Sequence, residues 1–142
     1  GYKDITVLDI SETAIEHAKV RLGEKAGAVT WIVSDILNFK PAGKYDCWHD
    51  RATFHFLTSE AQRLAYTGIA RSAVSGYLSI GTFADNGPEK CSGLVVKQYS
   101  AAALTREFEP GFEKIKCIQD DHITPAGVVQ HFTFCSFKKK NN

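Results

Sequence analysis

The strongest constraint on this chain is a pattern that occurs twice near its start. A β-prone run, Ile5-Thr-Val-Leu, ends in Asp9-Ile10, and a second run, Val29-Thr-Trp-Ile-Val-Ser, ends in Asp35-Ile36. Between them the apolar spacing predicts a helix over about residues 12–22, with Ala14, Ile15, Ala18 and Leu22 on one face and Glu12, Glu16, Lys19 and Arg21 on the other. Gly23 is its expected stop. Two strands so joined belong to a parallel sheet, and both carboxylates then stand on its carboxyl edge, where open α/β sheets bind ligands. Asp9 in that place is able to accept two hydrogen bonds from a ribose diol. It is equally able to cap the helix that follows, sharing the task with Ser11, and Asp35 is open to the same two readings.

The chain then changes character. Lys40-Pro-Ala-Gly-Lys is a loop, and the run from Tyr45 has an apolar centre ending in His49, Asp50 and Arg51. Charged groups gathered past a buried strand need solvent, partners or a ligand. Ser59 and Gln62 fit a capping box for a helix to about Val74, with Ala61, Leu64, Ala65 and Gly68 as its packing face and Gly76 as its end. Residues 76–83 read as a buried strand, in which Gly81 allows a close approach of backbone or ligand. A long polar loop from Asp85 to Leu94 follows, as binding loops often do in compact domains. A short helix over about residues 101–108 starts at Ser100 and stops before Pro110-Gly111. Residues 113–119 and 129–137 are strands with no helix between them, so they are antiparallel if they pair. Residues 138–142 read as a solvated tail.

A length of 142 residues suits one domain, and a formal net charge of +1 offers no electrostatic case for nucleic acid or an anionic membrane. No apolar run approaches the roughly 20 residues of a membrane span, and no signal peptide opens the chain. The four cysteines form no C-x-x-C pair. Cys47, Cys117 and Cys135 fall in predicted strands as small free hydrophobes, which points to a reduced, cytoplasmic protein, and the spacing argues against zinc. His122 and His131 with Asp120 and Asp121 read as polar residues collected at a hairpin end rather than metal ligands. Trp31, Trp48, Tyr77 and Tyr99 read as core or rim packing.

Taken together, the order strand-Asp, helix, strand-Asp-Ile, strand-Asp-Arg, helix, Gly-Tyr-Leu strand and terminal hairpin resembles the class I S-adenosylmethionine-dependent methyltransferases, from their second strand onward. The resemblance implies a Rossmann-like α/β fold, doubly wound and mostly parallel, with sheet order 3-2-1-4-5-7-6 and an antiparallel strand 7. It also implies S-adenosylmethionine as cofactor. On it, Asp9 takes the ribose hydroxyls, Ile10 packs on adenine, Asp35 accepts from the adenine amino group and the Ile36 amide meets the ring edge. Asp50 lies near the sulfonium and the acceptor, where it stabilises positive charge or holds the acceptor. His49 and His55 are candidate general bases, and each also reads as a half-buried ring beside a strand end. The family's first strand and glycine-rich loop have no counterpart in these residues. The reading is therefore of a truncated single domain: a fragment of a longer gene, a domain completed by a strand from a second chain, or one whose strands close up. The acceptor implied is a small molecule or a protein. A non-catalytic interaction module that kept the fold and lost the cofactor is the alternative.

Overall fold

The computed structural model describes residues 2–141, and they divide between Lys40 and Pro41 into two compact units. Gly1 and Asn142, the last of the expected tail, lie outside the described residues. In the first unit β1 (Ile5–Asp9) leads into α1 (Glu12–Leu22), a short 3-10 turn over Gly23–Ala28, and β2 (Val29–Val33). β1 and β2 are parallel, with Ile5 opposite Val29 and Asp9 opposite Val33. Ser11 caps α1 through its Oγ, which accepts from the Ala14 amide, and Gly23 ends it with φ 57°, a left-handed value that suits a residue without Cβ. Of the predicted apolar face, Ile15 is buried and Ala18 half-buried, while Leu22 stays exposed.

The second unit is a four-stranded sheet in the order β3-β4-β8-β7. Its strands are β3 (Tyr45–Arg51), β4 (Val74–Phe83), β7 (Phe112–Ile123) and β8 (Val129–Lys139). β3 and β4 are parallel, and β8 runs antiparallel to both β4 and β7. The two sheets reproduce the stretches 3-2 and 4-5-7-6 of the expected order. β1 pairs with β2 alone and β3 with β4 alone among the described residues. Helices α2 (Glu60–Ala73) and α3 (Ala101–Phe108) complete the second unit, with a minor ladder, β5 (Lys90–Cys91) and β6 (Leu94–Val95), turning at Ser92-Gly93 within the expected polar loop.

The core of this unit is aromatic. Phe54 lies 5.0 Å from Tyr66 and 5.0 Å from Phe108, ring centre to ring centre, and Phe108 lies 5.4 Å from Phe137. Leu78, Ile80, Leu104 and Cys135 are also fully buried. Gly81 serves packing: a Cβ there would fall 2.5 Å from the Phe134 ring. No helix of the described residues is long and apolar enough to cross a membrane.

Four expectations need correction. The Ala61, Leu64, Ala65 and Gly68 face of α2 is exposed, with Leu64 at 65%, and the buried face is Tyr66, Thr67, Ala70 and Ala73. Small side chains remove little apolar area from water, so the stripe with the large ring turns inward. Gly76 does not end α2, because β4 has already begun at Val74, and Lys138 and Lys139 belong to β8 rather than to a tail. Cys117 and Cys135, read as free thiols, face each other across β7 and β8 and form a disulfide. Antiparallel pairing puts opposed Cβ atoms within about 5 Å, a proximity that residues 18 apart do not announce in sequence. That part of the reduced-compartment argument therefore falls, and Cys47 and Cys91 are the free cysteines.

Candidate cofactor edge and the buried acid of the second unit

In the first unit both acids stand where the parallel strands end. Asp9 Oδ1 accepts from the Ser11 amide at 2.8 Å, and Ser11 Oγ accepts from Ala14, so acid and serine together organise the start of α1. The Ser34 amide donates to the Asp9 carbonyl at 3.0 Å, which carries the ladder one step past the strand end. Asp35 Oδ1 accepts from the Leu37 amide at 2.9 Å and caps the short 3-10 turn Ile36–Asn38. Capping thus occupies one oxygen of each carboxylate. The second oxygen of each has no partner among the described residues.

Register relates the two acids. Asp9 lies opposite Val33, two residues before Asp35, and Asp35 keeps extended backbone at φ −64°, ψ 132°. Ser34 between Val33 and Asp35 is a bend, so Asp35 stands just past the end of β2, two residues beyond the position opposite Asp9. Ile10, next to the first acid, leaves 70% of its surface exposed, whereas Ile36, next to the second, is buried. The Ile36 amide is the first of its turn and has no acceptor among the described residues. This edge offers an acceptor and an exposed aliphatic side chain at one end, an acceptor and a donor at the other. That donor set fits a nucleoside, with a diol toward Asp9 and an amino-substituted ring toward Asp35 and Ile36.

The acid of the second unit has a different setting. β3 extends through Arg51, so His49 and Arg51 alternate outward and Asp50 inward. Asp50 Oδ2 accepts from the Tyr66 hydroxyl at 2.5 Å, and Oδ1 accepts from the Thr53 amide at 3.0 Å. Trp48 Nε1 in turn donates to the Tyr66 hydroxyl at 3.1 Å. Burial pushes the Asp50 carboxyl above its usual range, while the bonds from Tyr66, Thr53 and Phe54 and the nearby His49 act against that rise. Burial, with Asp50 beside it, pushes the Tyr66 hydroxyl well up. Ala52 adopts φ 64° and donates its amide to the Gly81 carbonyl at 2.8 Å, so the carboxylate braces a turn in a backbone region that non-glycine residues rarely occupy. Sequence reasoning missed Tyr66 and read Trp48 only as packing, not as a donor to the Tyr66 hydroxyl. The available signal was chemical: a buried phenol or indole needs a partner for its polar tip.

His55 is fully buried between Phe56 and Phe83, with ring centres 4.8 and 4.7 Å away. The Phe83 amide donates to its Nδ1 at 3.2 Å, and burial lowers the ring to about 4. At neutral pH the ring is uncharged with its proton on Nε2, which has no partner among the described residues. Its basic nitrogen is thus already engaged. His49, the other candidate base, sits on the exposed face of β3, and the Arg51 guanidinium lies 5.3 Å above the Phe132 ring. Near the hairpin end His131 Nδ1 pairs with Asp121 at 2.5 Å, and His122 packs edge-on to Phe132.

Comparison with known proteins bears on the family and the fold. A malonyl-[acyl-carrier protein] O-methyltransferase of Anoxybacillus flavithermus is 35% identical over 82 residues, which is 58% of this chain and 30% of that protein. A second, from Ilyobacter polytropus, is 38% identical over 56 residues, 39% of this chain and 20% of that protein. The match thus spans less than a third of either curated relative. Among solved structures, the N-methyltransferase NodS of Bradyrhizobium japonicum, in complex with S-adenosyl-L-homocysteine, superposes with a TM-score of 0.77 at 19% identity, covering 98% of this chain and 68% of that one. A methyltransferase of Methanosarcina mazei does so with a TM-score of 0.78 at 14% identity, covering 98% and 83%. At such identities these likenesses establish the shared fold. The model of the methyltransferase domain family matches residues 1–76, more than half of the sequence, and the chain belongs to that family.

Proposed function

We propose that the edge formed by Asp9, Ile10, Asp35 and Ile36 holds S-adenosylmethionine and that the domain supports transfer of its methyl group to an acceptor. The observation that carries this reading is the pair of acids at the carboxyl ends of two adjacent parallel strands, Asp9 on β1 and Asp35 two residues past β2, each with one oxygen left over from capping. When bound, the cofactor supplies a methyl group on a sulfonium, a leaving group that needs no protonation. The protein's part is then positioning and electrostatics. Asp9 accepts from the ribose hydroxyls and Ile10 covers one face of the base. Asp35 accepts from the amino group, and the Ile36 amide donates to the ring.

Asp50 is a structural acid of the second unit. Both of its oxygens are bonded within the protein, and they hold the turn that leaves β3. The acceptor is a small molecule or a group carried on a protein, and the names of the curated relatives favour a carboxylate oxygen. A carboxylate is already ionised at neutral pH and needs no base. The two curated relatives are named for methyl transfer to an oxygen of a malonyl group.

Titration calorimetry with S-adenosylhomocysteine and with NAD tests the reading, on this chain and on one extended along its reading frame at the N-terminus. Heat with the homocysteine ligand alone is expected. Silence from both proteins would mean a fold without a cofactor site, and an equal response to NAD would point to a dinucleotide enzyme. Asp9→Ala is expected to weaken binding by about 1–3 kcal/mol. Unchanged affinity would remove Asp9 from the site.

A further inference from the structure

We propose that β7 is a self-pairing edge, through which two copies of this chain join their four-stranded sheets antiparallel about a two-fold axis at Ile118. β7 stands last in the sheet order, pairs with β8 on one side, and has no strand on its other side among the described residues. It is 12 residues long and exposed along most of that length, with Ile115 at 52% and Ile118 at 48%. A long open edge with apolar side chains is a template for another strand.

The order of charges on this strand selects a second copy as its occupant. Lys116 precedes Ile118 by two positions and Asp120 follows it by two, so all three share one face of the strand. A two-fold axis perpendicular to the sheet keeps every side chain on its own face, and it must therefore pass where a residue meets itself. With the axis at Ile118, isoleucine meets isoleucine, and Lys116 of each copy meets Asp120 of the other. Moving the axis to Cys117 opposes Lys116 to Ile118 and carries the partner of Asp120 beyond the register shift. Moving it to Gln119 opposes Ile118 to Asp120 and Cys117 to Asp121. Only the Ile118 register pairs opposite charges within residues 116–120.

Neither side chain is otherwise committed to an ion pair. Lys116 has no hydrogen-bond or ion-pair partner among the described residues, and Asp120 accepts only the amide of Asp121. The register shift between Lys114 and Lys116 ends regular pairing just beyond this segment, leaving residues 116–120 as the paired core. Lysines and bulges also serve to keep edges apart, and the charge-reversal variants below separate that role from pairing. Here both signs stand in self-complementary order.

An interface of this size is smaller than that of a stable complex, so the dimer is weak and depends on concentration. Sedimentation velocity from micromolar to millimolar protein is expected to show the mass rising toward twice the monomer. Lys116→Glu and Asp120→Lys are each expected to raise the dimer dissociation constant about tenfold, because like charges then meet at both ends of the ladder. The double variant K116E/D120K restores the opposed pairs and is expected to recover the original constant. Both positions are exposed, and unchanged circular dichroism confirms the fold of each variant. A monomer at every concentration would overturn the proposal. So would a dimer indifferent to both reversals, or a double variant that fails to recover.

Discussion

Asp9 and Asp50 both stand at or beside the carboxyl end of a parallel strand, and they have become different chemical objects. Asp9 lies half-buried with one oxygen spent on a local cap and one to spare. Asp50 is buried, with both oxygens bonded, one of them to a phenol sixteen residues along the chain. Strand-end position brings an acid to the ligand edge. What the acid does there depends on how many donors the surrounding structure aims at it. An acid with a spare oxygen is able to bind a ligand, whereas one that is fully bonded shapes the backbone from which ligands are bound.

The largest effect should come from cutting the bonded acid. Asp50→Ala leaves the Tyr66 hydroxyl and the Thr53 amide unpaired in the core and is expected to lower the unfolding free energy by about 3–4 kcal/mol in urea denaturation. A loss below 1 kcal/mol would mean that the contrast with Asp9 is not energetic.

A change of pH probes the same region through His55. Its native value of about 4 lies below the ordinary 6.5, so between those values the unfolded chain binds the extra proton and stability falls as pH falls. The contribution is full above pH 6.5 and spent below about pH 4, at most about 3 kcal/mol. The raised carboxyl of Asp50 works in the opposite sense, since protonation favours the native state there. The measurement is therefore best made by urea unfolding at several pH values in an Asp50→Asn background. A flat profile through that window would show that His55 is not held neutral by burial.

Tyr66→Phe should cost less, about 2 kcal/mol, since it removes one donor from Asp50 and the acceptor of Trp48 while keeping the ring in place. Thermal unfolding of Tyr66→Phe and Asp50→Ala, alone and combined, should show non-additive losses, because the two groups share a bond. At the small end, Asp9→Ala should change stability by less than about 1 kcal/mol, the scale of a helix cap, whatever it does to ligand affinity. A stability loss as large as that of Asp50→Ala would erase the distinction between the two acids.

Local features were readable in advance. The caps at Ser11, Ser59 and Ser100 bind amides three residues on, and Gln62 closes the box with Ser59. Such bonds depend on nearest neighbours, so residue type and spacing suffice. The Asp-Ile pairs were readable for the same reason: β-prone runs and the helix between them place both acids on one edge. The buried face of α2 was misread because spacing alone does not say which of two stripes carries the larger apolar area. The disulfide and the Tyr66–Asp50 bond were hidden because both join elements that meet only through the sheet.

The sequence by itself determined the parallel pair β1–β2, its two acidic ends and the antiparallel close of the second sheet, since hydrophobic period, turn residues and connection length are properties of contiguous chain. Only the tertiary structure decided which acid keeps a spare oxygen, which histidine nitrogen stays basic and which cysteines meet. Those outcomes depend on donors and acceptors brought together from distant segments, and burial then sets the strength of each bond and the charge of each group.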